Sequence, residues 1–235
     1  FKKFFTPNEC VKIKNDYGDF NAHIAGGRIV KFKNNKLLFS TGAFHYSDHA
    51  QNDKSVFGKI ISIDKSSGNW FVISKGHRNI QGLKYDIEKD IIFSTEHGPT
   101  GGDEFNINFN PSITNVENYG WPISSYGQTI TKFPLYESHK DYGFIEPIKY
   151  FTKRIAISEI IKVPQVFNKK STNGFFIGAL GYKSNFKVGG RSIHHIQFDN
   201  DLEKIIFEDL IPIGDRVRDM VLIKEKNIVL MILED

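Results

Sequence analysis

From Gly27 to the end of the chain, short apolar stretches alternate with clusters of Asn, Asp, Gly and Lys, and that alternation leaves few folds open. Each stretch is long enough for one strand and too short for a long amphipathic helix, so the pattern reads as strand, tight turn, strand. Arg28 to Phe32, the turn Lys33-Asn34-Asn35 and Lys36 to Thr41 predict one hairpin. Lys59 to Ile63 and Trp70 to Ser74, split by Lys65-Ser66-Ser67-Gly68, predict another. The rhythm returns at Gly82 to Asp86, Ile91 to Thr95 and Phe105 to Phe109, then at Glu159 to Val163, Phe175 to Leu180, Ser192 to Phe198 and Lys204 to Leu210. Val217 to Ile223 and Asn227 to Leu233 end the series. The 21 Phe and nine Tyr suit this reading, because flat rings pack well on a pleated, half-buried surface.

Strands recurring in groups of four predict an all-β chain built as a β-propeller, in which each four-stranded antiparallel blade buries its faces against its neighbours. We count about three blades and part of a fourth, whereas closed rings have about four to eight. The whole chain, 1–235, therefore reads as one partial propeller domain that lacks N-terminal blades and the closing C-terminal strands. It opens at Phe1 without an initiator Met, as a fragment would. Periodicity alone leaves a pair of β-sandwich sheets open.

Composition narrows the function classes. The net charge of +4 comes from Lys scattered among Asp and Glu, not from a basic stripe, which argues against a nucleic-acid partner. Cys10 is alone and cannot close an internal disulfide. No run approaches the roughly 18 apolar residues of a membrane span.

Polar residues concentrate between Gly76 and Pro122: G-H-R-N-I-Q-G-L, then T-E-H-G-P-T-G-G-D-E-F-N, then N-Y-G-W-P. They fall where strands end and loops begin, the usual place for a site on a rigid scaffold. His77, Arg78, Asn79 and Gln81 bunch hydrogen-bonding side chains at the entrance to a strand. Taken alone, that bunch reads as a polar loop, and His97-Gly98-Pro99 reads as a turn with exposed carbonyls. His194 and His195 are neighbours on a strand, point to opposite faces and read as structural. Asp199-Asn200-Asp201 lacks the Gly and distal Glu of a calcium loop and reads as a hairpin turn.

Together, in order and spacing, the three motifs resemble the signature of the glucose/sorbosone dehydrogenase family, soluble aldose dehydrogenases that use pyrroloquinoline quinone. Looser similarity runs from about His23 to Asp235. The resemblance implies a six-bladed propeller with the cofactor over its central channel and oxidation of a sugar or related alcohol. It also implies an external electron acceptor and a periplasmic or extracellular location.

Residue by residue, the resemblance implies that the carbonyls of Gly98 and Pro99 bind a catalytic Ca²⁺, a hard cation that accepts neutral oxygens. Arg78 and Asn79 match residues that contact the quinone, and a guanidinium there stabilises an oxygen that gains charge. Arg216 and Arg218, in D-R-V-R-D, match a pair facing the cofactor's carboxylates, and strand alternation puts both on one face. Lys183 and Lys187, in the divergent stretch Gly181 to Gly190, are candidates for a Lys over the cofactor. Asp103, Glu104 and Tyr119 lie in segments that resemble a second, structural calcium site, with a side-chain oxygen from Glu104 and a backbone oxygen from Tyr119.

His23, in N-A-H-I-A-G-G-R-I, resembles the general base that takes the hydroxyl proton as hydride passes to the quinone. An imidazole suits that task because its ordinary pKa of about 6.5 lies near working pH. Two features depart from the family pattern. The spacing from His23 to the Gly-Arg pair is one residue longer, and the strand end that often reads Gly-Asp is Gly42-Ala43. Without that Asp, His23 has no orienting carboxylate unless Asp48 or Asp53 substitutes. Ala43 therefore keeps a rival open, a non-catalytic propeller that binds carbohydrate or a protein. A hydrolytic propeller of the lactonase kind would want several inward acids and Asn on calcium, and only part of such a set is visible.

Overall fold

The structure, a computed structural model, describes residues 4–7, 9–15, 18–19, 21–128, 138–167 and 172–234, so Phe1 and Asp235 lie outside the described residues. After a short hairpin of β1 (Lys14–Asn15) and β2 (Gly18–Asp19), the chain folds as serial antiparallel sheets. The first sheet is the meander β3 (Gly26–Phe32), β4 (Lys36–Thr41), β5 (Lys59–Asp64) and β6 (Trp70–Lys75). The second is β7 (Ile80–Asp86), β8 (Ile91–Glu96) and β9 (Asp103–Asn108), completed by β11 (Lys149–Phe151). Between β9 and β11 in sequence, β10 (Glu117–Asn118) turns back and joins β6 in parallel, giving the first sheet a fifth strand that the apolar rhythm did not announce. The third sheet is β12 (Ile157–Lys162), β13 (Asn173–Ala179), β14 (Ser192–Phe198) and β15 (Ile205–Pro212), followed by the pair β16 (Arg216–Ile223) and β17 (Ile228–Glu234).

Local chemistry explains why the turns fall where they do. Asn34 and Asn35 both take left-handed φ, +55° and +57°, a conformation Asn tolerates better than most residues, and they close the β3–β4 hairpin. Asp64 and Asp86 end strands and Asp199 directly follows one, and each accepts backbone N–H groups from the following turn through Oδ1. Asp199-Asn200-Asp201 is thus the β14–β15 hairpin turn.

The core lies between successive sheets. Phe93, Phe105, Phe175 and Phe198 meet between the second and third, with ring centroids 4.6–6.3 Å apart. Each such buried ring contributes about 1.5–3 kcal/mol. Leu38, Ile60, Ile73, Ile80 and Ile92 join the first sheet to the second, and Phe176, Ile193, Val217 and Met220 join the third to the last pair. His194 and His195 are buried within this framework, against Phe151 and against Phe176 and Phe207 respectively.

The first strands of successive sheets are innermost: β3 packs on β7, β7 on β12 and β12 on β16. All of them carry a register irregularity near the N-terminal end, at Gly26/Ile29, Ile80/Gly82, Ile157/Ile160 and Val217/Asp219. A bulge re-aims the side chains beside it. Here it brings polar groups from all of these strands together: Arg28 Nη1 forms an ion pair with Glu159 Oε2 (2.7 Å) and donates to Asp219 Oδ2 (3.0 Å), and its Nε donates to the Gln81 carbonyl (2.5 Å). No helix among the described residues is long and apolar enough to cross a membrane.

Candidate functional site

The bulged end of the inner strands opens into a cavity of about 360 Å³. His23, Arg78, Asn79, Gly98, Pro99, Arg216 and Arg218 all line it, together with Gln81, His97, Asp103, Arg154 and Tyr182. Arg78 is held from several sides. Its backbone N–H donates to Glu96 Oε2 (2.8 Å), its Nη1 donates to the carbonyls of His97 (3.1 Å) and Gly98 (2.9 Å), and its guanidinium lies 5.4 Å from the Trp121 ring. Burial pushes its pKa down to about 10, with Asp103 and Glu96 pulling the other way, so the group stays cationic.

Asn79 is oriented by its oxygen. Oδ1 accepts from Gln81 Nε2 (3.0 Å) and from the Gly26 N–H (3.2 Å), which turns the amide nitrogen toward His97 Nδ1 (3.4 Å) and the cavity. Asp103, in a segment that resembles a structural calcium site, is buried at the start of β9. Its carboxylate accepts from the N–H groups of Gly98 (3.0 Å), Ile155 (3.0 Å) and Ala156 (2.7 Å), clasping the Gly98–Pro99 turn to the third sheet. Gly98 has no room for a side chain, since a Cβ would run into the carbonyls of Gly101 and Gly102. The Pro99 carbonyl accepts from Arg154 Nη2 (2.9 Å).

Behind this rim lies a buried carboxylate layer. His77 Nδ1 meets Glu96 Oε1 at 3.0 Å, while its Nε2 meets Ser74 Oγ at 2.8 Å. Burial works to raise the Glu96 carboxyl, but His77 and the N–H groups of Arg78 and Asn79 hold it below its ordinary range. Glu104 is buried as well. Burial raises its carboxyl, and His139, at 3.3 Å but poorly aligned for a hydrogen bond, does not reverse that. Asn106 Nδ2 bridges the two acids at 3.2 Å each. Glu104 and Tyr119 thus sit apart from the main cavity, around a small second one shared with Arg78, Glu96 and Gly98.

Other candidates are placed less favourably. Lys183 and Lys187 are exposed on a short 3₁₀ turn, Lys183–Val188, and neither lines the cavity. Their neighbour Tyr182 does, because the chain is still extended there before the turn winds up, and Arg216 lies 5.9 Å from its ring. His23 is exposed, and its imidazole has no hydrogen-bond partner among the described residues. Asp53 pairs with Lys75 (2.6 Å) and Asp48 is exposed on a surface turn, so neither orients His23. Ala43 packs with Ala50, Trp121 and Ile24 in a small apolar cluster, so this position offers His23 no carboxylate. His45, which no motif marked, lies close enough to Arg78 and His23 to feel both; burial first, and then their charges, lower its pKa.

A family profile described as glucose/sorbosone dehydrogenase matches residues 13–235. The chain belongs to the glucose/sorbosone dehydrogenase family. Within the curated proteins, an uncharacterized protein of Synechocystis is 34% identical over 73% of this chain and 42% of its own length. The aldose sugar dehydrogenase YliI of Escherichia coli K12 is 29% identical over 66% of this chain and 44% of its own. The chain therefore spans less than half the length of these two relatives. Among solved structures, a glucose dehydrogenase superposes with a TM-score of 0.75 at 22% identity, covering 100% of this chain and 65% of that one. The pyrroloquinoline-quinone-bound aldose sugar dehydrogenase of Streptomyces coelicolor superposes with a TM-score of 0.58 at 24% identity, covering 83% and 52%.

The residues of this glucose/sorbosone dehydrogenase relative fit a cation and an anionic quinone. The Gly98 and Pro99 carbonyls already accept from cationic guanidinium groups, and Arg78, Arg154, Arg216 and Arg218 converge on a single cavity. Among the described residues no group of three or more His, Cys, Asp or Glu side chains is placed to hold a metal, so a cation here would rest on carbonyls.

Proposed function

We propose that the chain is part of a quinoprotein sugar dehydrogenase that oxidises an aldose or related alcohol, its sheets being blades of a six-bladed propeller. Pyrroloquinoline quinone and calcium would occupy the arginine-lined cavity. One observation carries this reading: Arg78, Asn79, Arg154, Arg216 and Arg218 meet the Gly98 and Pro99 carbonyls around a shared cavity although they are scattered through the sequence. When bound, the quinone supplies the hydride acceptor, polarised by calcium. The chain's own residues do the rest. Arg216 and Arg218 balance the cofactor's carboxylates, Asn79 presents N–H donors to an acceptor oxygen, and Arg78 meets the oxygen that gains charge. His23, at the rim, takes the proton of the substrate hydroxyl. Glu104 and the Tyr119 carbonyl would hold a second, structural calcium, and Lys183 reaches the cofactor only if its turn rearranges. Electrons leave to an external acceptor, and the protein works in the periplasm or outside the cell.

The test uses the full-length protein carrying this chain, loaded with calcium and quinone and assayed for aldose-dependent dye reduction. His23→Ala should lower turnover about 10²- to 10⁴-fold while quinone binding persists. Quinone binding without oxidation of any aldose or alcohol would leave the rival, a propeller that only binds. The unpartnered imidazole of His23 and the apolar packing of Ala43 favour that second reading.

A further inference from the structure

A second large cavity, about 470 Å³, lies at the opposite end of the inner strands. Lys84 of β7, Lys162 of β12 and Lys224 of the turn after β16 reach it over an apolar wall that includes Ile161, Met220 and Leu222. Its cations differ in how they are compensated. Lys162 donates to Asp86 Oδ2 at 3.0 Å, whereas Lys84 and Lys224 have no carboxylate partner among the described residues. Lys84 is half-buried, and burial, reinforced by Lys162 and Lys224, lowers its pKa. The nearest opposing carboxylates are Asp86, taken by Lys162, and Glu159, which sits against Arg28.

Uncompensated positive charge at the mouth of an apolar cavity fits one kind of ligand. The volume lies within the roughly 300–1,000 Å³ typical of small-molecule pockets. A compact ammonium group meets an anion as a point charge, without the planar fork with which arginine grips phosphate. We propose that this cavity binds a small amphiphilic carboxylate, its head group between Lys84 and Lys224 and its apolar body against Ile161, Met220 and Leu222. The proposal does not rest on the quinone reading, because the two cavities share no lining residue.

The experiment is calorimetric titration of the full-length protein, without quinone, using octanoate, octanol and inorganic phosphate as separate probes. Octanoate should bind at one site per chain, at least about tenfold more tightly than octanol, which has the tail without the charge, or phosphate, which has the charge without the tail. Lys84→Met should weaken octanoate by about tenfold, the loss of one charge-assisted contact. Lys84→Arg should restore most of it. Lys224→Gln, on an exposed turn where folding is not at stake, should weaken octanoate by a smaller factor, and a thermal melt of each variant checks the fold. The proposal is overturned if octanoate fails to bind, if octanol or phosphate binds as tightly, or if both Lys84→Met and Lys224→Gln bind octanoate like the unaltered protein.

Discussion

At one end of β3, β7, β12 and β16 each strand is bulged and the cations have fixed partners; at the other end the same strands run regularly and Lys84 and Lys224 have no carboxylate partner among the described residues. Arg78 is tied to the His97 and Gly98 carbonyls, Arg154 to the Pro99 carbonyl and Arg218 to Glu234 at 2.6 Å. The charge has the same sign at both ends, but Arg78, Arg154 and Arg218 are all held in place before any ligand arrives. Of the three lysines at the other end, Lys162 is tied to Asp86, whereas Lys84 and Lys224 have no such tie among the described residues. Fixed donors stabilise charge that develops at one point during a reaction, whereas loose ammonium groups suit a ligand that needs only to be held. The bulges contribute at Arg28, where polar side chains of different strands meet, while loop carbonyls hold Arg78 and Arg154.

The largest effect should come from breaking the held end. Arg78→Ala removes the guanidinium that spans two carbonyls and stacks on Trp121. Quinone titration and dye reduction in the full-length protein should both suffer, turnover by about 10²- to 10³-fold, as when one preorganised donor is lost from a reacting oxygen. Arg78→Lys should recover little, since a single ammonium cannot reproduce the fork. Recovery by Lys would mean that charge alone matters there, and the two ends would no longer differ in kind.

Glu159 lies between the two ends, touching Arg28 on one side and felt by Lys84 on the other. Burial pushes its carboxyl up to about 7, with Arg28 opposing, so the folded chain keeps a proton there that the unfolded chain, near 4.5, gives up. The folded state then binds more protons between those values, and stability falls as pH rises through that window. Each pH unit is worth about 1.4 kcal/mol, so the whole window amounts to about 3 kcal/mol. In urea melts at pH 5 and pH 8, Glu159→Gln should flatten the pH dependence by that order, whatever other groups contribute. An unchanged slope in the variant would mean that Glu159 is ionised throughout and already compensates Lys84.

How far the sequence reaches can be judged from the same two ends. The strands were legible because half-buried stretches alternate with Asn and Asp turns whose side chains close the hairpins themselves. Arg78, Asn79, Gly98 and Pro99 stood out only through the resemblance of three linked motifs, because taken alone their polar runs read as a loop and a turn. Bulges leave no such trace: they depend on the register between strands, so the meeting of Arg28, Glu159 and Asp219 was invisible. Asp103 and Glu104 drew attention only through segments that resemble a structural calcium site, and nothing local announced that Asp103 is buried as a clasp for three N–H groups and Glu104 as part of a carboxylate layer. Lys183 was a candidate from the resemblance alone, in a divergent stretch, and the chain winds up from that residue onward, so the last extended residue, Tyr182, is the one that lines the cavity. Lys84, Lys162 and Lys224 come from two strands and a turn, with nothing local to link them.

The smallest expected effect tests how finely the arginine end is set. Asn79 can present nitrogen to the cavity only while its oxygen is occupied elsewhere, and Gln81 Nε2 and the Gly26 N–H both donate to that oxygen. Gln81→Glu replaces the donor with an acceptor and puts a carboxylate oxygen against Asn79 Oδ1, so the amide should turn over and show its oxygen to the cavity. Under the quinone reading that exchanges attraction for repulsion at one contact, and quinone affinity should fall about tenfold, near 1.4 kcal/mol. Gln81→Met, which removes the donor without inverting it, should lose less because Gly26 still holds the oxygen. Absorbance titration with quinone measures both, and a thermal melt shows whether the fold is intact. If Gln81→Glu binds quinone like the unaltered protein, then Gly26 and His97 fix the amide by themselves, and β7 orders this end through its backbone, not through the Gln81 side chain.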